Sequence, residues 1–176
     1  MNGPSPTLLV AVADPVVFVK ITGRATFTVS HSFKTLIQQL HQKGYQQFVL
    51  ELRDCLIMDS TFLGVLAGVG LKLAGGAPAS DTNGVKLLNP NPRVLDLLEN
   101  LGVSHFFCLV ASGPAEAPCY EAAAPGAPAP TREEVSRLCL EAHQFLMQIN
   151  PANVPKFKDV ARFLEEDLAK LAARAN

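Results

Sequence analysis

The side chains that could do chemistry concentrate in one stretch of this 176-residue chain, Asp54-Cys-Leu-Ile-Met58-Asp59-Ser60-Thr61. It stands between an apolar run ending at Leu52 and a long apolar segment opening at Phe62. Asp, Ser and Thr carry the side-chain oxygens that best accept the orphan N–H groups of a helix's first turn. Asp59-Ser60-Thr61 therefore reads first as the cap of the helix that follows. The same place suits a second chemistry. A phosphate added to a hydroxyl there brings about −1.5 to −2 charges at pH 7. A helix N-terminus accepts such a charge within the domain. A partner packed over the turn does not, and Asp59 adds like-charge repulsion against acidic partner groups.

Other chemistries lack their residues. Cys55, Cys108, Cys119 and Cys139 form no C-x-x-C, and His31, His41, His105 and His143 show no ligand spacing, so reduced thiols and no metal site are expected. Cys55 reads as a small buried apolar residue. Gly68–Gly76 lacks the order of a phosphate-binding P-loop, and no G-x-S-x-G elbow occurs. Ser60 with His31 or His105 would make a nucleophile–base pair, but no oxyanion feature accompanies it. The expectation is a protein that is not an enzyme and needs no cofactor. Lys+Arg number 15 against 16 Asp+Glu, a net charge of −1, which argues against nucleic acid or anionic lipid as partner. No basic residue precedes Lys20, and no apolar run reaches the roughly 18–20 residues of a membrane helix, so a cytoplasmic protein without membrane insertion is expected.

The elements that must position Ser60 follow from periodicity. Residues 8–12 and 16–21 are β-branched runs about Asp14-Pro15, which predicts a hairpin that breaks at Gly23. A helix opening at Ser30 or His31 and closing at Lys43 carries Phe33, Leu36, Ile37 and Leu40 on one face, with Gly44 as its C-terminal cap. Residues 48–52 form a strand reached by a crossover, and Asp54–Thr61 forms a turn. The next helix, about 62–73, is apolar almost all round. Its Gly64, Gly68 and Gly70 cost about 1 kcal/mol each unless another backbone packs close. A loop over 77–84, a strand over 85–88, a helix over 93–101 capped by Gly102, and a strand within 103–110 complete the first domain. Residues 111–130 are rich in Ala and Pro and read as a linker. Thr131 with Glu134 forms a capping box for a helix to about Ile149, and a second helix spans about 155–173. The division is 1–110 for the domain, 111–130 for the linker and 131–176 for a helical hairpin. The expected fold is α/β (α+β): a mixed sheet of four or five strands with helices mainly on one face.

The stretch Asp54 and Met58-Asp59-Ser60-Thr61-Phe62-Leu63-Gly64-Val65-Leu66 resembles the signature of STAS domains, in particular bacterial anti-sigma factor antagonists. Asn91-Pro92-Arg93-Val94 through Leu97-Leu98 to Gly102 extends the resemblance, which covers about residues 7–110. It implies a regulator of transcription whose partner is an anti-sigma factor serine kinase with a histidine-kinase-like ATPase fold, reset by a serine phosphatase. By position Ser60 is the phosphoacceptor and Thr61 a secondary one. Asp59, Phe62 and the segment with Gly23, Arg24 and Thr26 belong to the partner surface. Two departures stand out: Phe62 replaces a glycine common in relatives, and Arg24-Ala-Thr-Phe27 lacks their acidic residues.

Two other readings remain open. One is a scaffold subunit, stressosome-like or accessory to a lipid-transport ATPase. The other is a hydrolase using Ser60. The hairpin is expected either to cover the domain or to serve as a homodimer or partner surface, because about five apolar side chains per helix are too many to leave in water.

Overall fold

The computed structural model describes residues 6–76, 84–111, 119–123 and 128–175. The chain opens with β1 (Thr7–Ala13) and β2 (Val16–Ala25), an antiparallel hairpin turning at Asp14-Pro15. Then come α1 (Phe27–Gln42), β3 (Gln47–Glu51), β4 (Cys55–Met58), α2 (Ser60–Leu73), β5 (Gly84–Leu88), α3 (Pro92–Leu101) and β6 (Phe107–Val110). A two-residue β7 (Glu121–Ala122) precedes α4 (Arg132–Ile149) and α5 (Val154–Ala175). The sheet order is β6-β5-β3-β2-β1-β7, with β4 alongside the end of β2. The β2–β3, β3–β5 and β5–β6 pairs are parallel.

Period-two alternation places the core on one face of this sheet. Val17, Val19 and Ile21 of β2, Phe48 and Leu50 of β3, and Val85 and Leu87 of β5 are buried, while Phe18, Lys20, Val49, Glu51 and Lys86 between them are half-exposed. Phe33 and Ile37 of α1 and Leu63 and Leu66 of α2 join the buried side. The expected mixed sheet with helices mainly on one face is present, but among the described residues it has seven strands rather than four or five, because the short β4 and β7 join it.

Four local features differ from expectation, each for a physical reason. The strand β2 does not stop at Gly23. That glycine takes φ +72°, the register shifts there, and Gly23 N–H donates to the Asp54 carbonyl, so the strand bends and continues to Ala25. Residues 55–58 are strand β4 rather than turn; four residues carry too little alternation to register. The helix α1 starts at Phe27, four residues before His31, because its first N–H is capped from elsewhere in the chain. Part of the Ala/Pro-rich stretch pairs with the sheet edge, Leu9 opposite Ala122 and Val10 opposite Glu121, since main-chain pairing needs no apolar side chain. The loop expected over 77–84 lies, except for Gly84, outside the described residues, as do 112–118 and 124–127.

The hairpin covers the domain. Leu138, Ala142, His143 and Leu146 of α4 are buried, with α4 against α2 and α1 and α5 outermost. The capping box holds α4's start: Thr131 Oγ1 accepts from Glu134 N–H, and a Glu134 carboxylate oxygen accepts from Thr131 N–H at 2.7 Å. At the α4–α5 corner the wholly buried Asn153 donates to the carbonyls of Leu101 and Leu146, each at 2.9 Å. Lys156 donates to the Asn100 carbonyl. The hairpin thereby satisfies carbonyls that the end of α3 leaves without intrahelical partners.

Candidate functional site

The site forms where β2, β4, α1 and α2 meet. Asp59 leaves β4 in an extended conformation and is the N-cap of α2. One of its carboxylate oxygens accepts from Phe62 N–H at 2.8 Å, the local cap expected of its residue type. The other accepts from Phe27 N–H at 2.8 Å, the first N–H of α1, 32 residues away in sequence. Asp59 N–H donates to the Ala25 carbonyl. One carboxylate thus sits at the positive ends of two helices. It ties the Gly23–Thr26 segment to the Asp59–Phe62 turn, aided by the pairing of Gly23 with Cys55 and Arg24 with Ile57.

Ser60 is the first residue of α2 and is half-buried. Its Oγ lies 2.9 Å from Nε2 of His143, on α4. His143 Nδ1 lies 2.7 Å from the Cys139 carbonyl. A carbonyl only accepts, so Nδ1 carries a proton; in the neutral ring Nε2 then holds a lone pair and the Ser60 hydroxyl donates to it. The imidazole is buried and packs against Phe157 at 5.0 Å between ring centroids. Thr61 is buried close to the Cys139 side chain, whose thiol pKa is pushed up by burial. Phe62 has no exposed surface, its ring 5.0 Å from that of Phe33. Gly23 is buried, Thr26 half-buried and Arg24 exposed.

Sequence reasoning missed His143, which is 83 residues from Ser60 and looks like one more core position on α4. The histidine paired with Ser60 is this one, not His31 or His105. Missed too were Phe27 and Leu56, exposed by 48% and 53%, the first beside Asp59 and the second on β4 three residues before it. Cys55 is buried as expected, and all four cysteines are free thiols. Among the described residues no group of three His, Cys, Asp or Glu is placed to hold a metal, and no helix is long and apolar enough to cross a membrane.

Burial pushes the His143 imidazole below its ordinary 6.5, opposed by the Cys139 carbonyl and the Asp59 carboxylate. At and just below pH 6.5 the unfolded chain therefore takes up a proton that the folded chain refuses. Stability falls as pH drops through that window and levels off once the folded imidazole protonates. In urea titrations, the midpoint of the wild type is expected to fall between pH 7.5 and pH 5 by more than that of His143→Gln; equal falls would contradict this.

The STAS domain family model matches residues 7–117, ending before α4. Solved structures share the fold at low identity. One from Thermotoga maritima, described as an anti-sigma factor antagonist, is 21% identical over 58% of this chain and 85% of its own, with a TM-score of 0.51. The anti-sigma factor antagonist SpoIIAA in its unphosphorylated form is 16% identical over 59% and 88%, TM-score 0.50. An anti-sigma factor antagonist from Mycobacterium paratuberculosis is 19% identical over 64% and 92%, TM-score 0.52. No curated protein sequence matches the chain. With a family model spanning well over half its length and a sheet and helices of the same fold, the chain belongs to the STAS domain family.

Proposed function

We propose that this chain is an anti-sigma factor antagonist: a binding protein, not an enzyme, that docks on a serine kinase acting as anti-sigma factor and is switched off by phosphorylation of Ser60. The observation that carries the reading is the place of Ser60, at the first turn of α2 directly after the Asp59 cap. A phosphate there gains from the helix dipole. The flanking surface suits a partner, since Phe27 and Leu56 expose apolar area beside the charged Arg24. A serine phosphatase resets the switch, and the buried Thr61 serves as a secondary acceptor only once the first turn of α2 is uncovered. Transfer forms the Ser60 Oγ–phosphorus bond and breaks the bond from the γ-phosphorus to the β,γ-bridging oxygen of ATP. ADP leaves, and the hydroxyl proton passes to a base of the kinase.

The test compares wild type and Ser60→Asp as bait in lysate of the native host, read by mass spectrometry. Wild type is expected to capture an ATP-binding serine kinase and the variant to lose it by about 100-fold, which needs only about 2.7 kcal/mol. Capture of one and the same complex by both baits would overturn the switch and favour a scaffold subunit in which the Ser60 hydroxyl serves only the fold.

A further inference from the structure

The helical hairpin lies beyond the stretch that the family model matches, yet it touches the residue on which the proposed switch depends. Helix α4 holds the Ser60 hydroxyl through His143, meets Thr61 through Cys139, and bridges to α1 through Lys34 Nζ and a Glu141 carboxylate oxygen at 3.2 Å. It also lies unusually close to α2. A Cβ built on Gly64 would stand 2.6 Å from the Ala142 carbonyl oxygen, so only a glycine lets the two backbones approach. We propose that α4 is a built-in occupant of the α1–α2 face beside Ser60, and that a docked α4 excludes both a phosphate on Ser60 and a kinase reaching for it.

The exclusion follows from space and charge. A phosphoryl group adds a phosphorus and three oxygens at the point where the imidazole already stands at hydrogen-bond distance. The ring cannot swing aside within a docked helix, since Nδ1 is held by the Cys139 carbonyl and its face by Phe157. Two negative charges would also come to lie beside Asp59 in a half-buried place. The partner this face fits is one that presents an apolar helix where α4 now lies, because lifting α4 uncovers the surface held by Leu138, Ala142 and Leu146 and something must cover it again. A partner without such a helix meets a closed face.

This inference rests on the reading of Ser60 as phosphoacceptor, and its test separates the two. Amide hydrogen exchange of the full chain is compared for wild type, Ser60→Asp and Gly64→Ala. The alanine is a wedge: its methyl group displaces α4 while favouring the α2 helix itself. Both variants are expected to speed exchange in α4 at least tenfold with β2, β3 and β5 still protected, and Gly64→Ala is expected to capture the kinase at least tenfold better than wild type. Unchanged α4 protection in Ser60→Asp would overturn the exclusion. Should that variant lose sheet protection as well, the wedge decides: a loosened α4 with no gain in capture of a kinase that wild type also binds overturns it. If α4 loosens in both variants and no bait captures a serine kinase, the phosphoacceptor reading fails while the exclusion between charge at Ser60 and docked α4 stands.

Discussion

Asp59→Ala is expected to lower stability by about 2–4 kcal/mol, twice what a single helix cap contributes, because one carboxylate caps two helices. Each lost cap leaves an N–H without its acceptor, at Phe62 in α2 and at Phe27 in α1. For a chain of this length that corresponds to roughly 5–15 °C in melting temperature. Asp59→Asn separates the charge from the geometry. Its single oxygen accepts from one helix while its NH2 group faces the N–H of the other, so the amide recovers about half of the loss at most. Thermal unfolding of the three proteins checks this. A loss of 1 kcal/mol or less in the alanine variant would mean that water replaces the carboxylate at both helix starts. The α1 cap also bears on the proposed partner surface without direct contact. Losing it frees the Thr26–Phe27 corner, so the alanine variant is expected to weaken partner binding even where partner groups never touch Asp59.

What the chain reveals before folding is what its neighbours in sequence decide. The capping box of Thr131 and Glu134, the N-cap of Asp59 and the left-handed Gly102 each act within a few residues and are legible as local patterns. The glycines of α2 signal a close approach, and Gly64 against Ala142 is one, although nothing in the pattern says that the approaching backbone is the appended helix α4. Three features that shape the site are non-local. The start of α1 is set by a carboxylate 32 residues away, the Ser60 hydroxyl is held from 83 residues away, and β4 exists only as a short parallel partner of β2's end. A helix start read from residues 26–31 alone has only a Thr26 whose side chain makes no cap bond, so the first residues pass for loop. His143 passes for a core residue because its apolar neighbours on the stripe, Leu138, Ala142 and Leu146, share its burial.

Phe62→Ala is expected to cost about 3–5 kcal/mol, the largest effect of any single change in the site region. The ring has no exposed surface and lies against Phe33, so truncation empties a space between α1 and α2 in a close-packed core. Relatives that carry a small residue at this position would need other atoms to fill that volume. Phe62→Leu keeps most of it and is expected to cost under about 1.5 kcal/mol. The pair of variants also decides how Phe62 serves a partner. If its part is to hold the first turn of α2 in place, the leucine variant binds the kinase as wild type does, and the alanine variant binds less only to the extent that it is unfolded, a loss that disappears when binding is measured well below its melting temperature. If instead α4 lifts and the ring meets the partner, leucine weakens binding at constant stability, because an aromatic anchor at the centre of an interface contributes more than an aliphatic side chain of similar volume. Denaturant titrations for stability and titration calorimetry for kinase binding, run on the same two variants, read the two contributions separately.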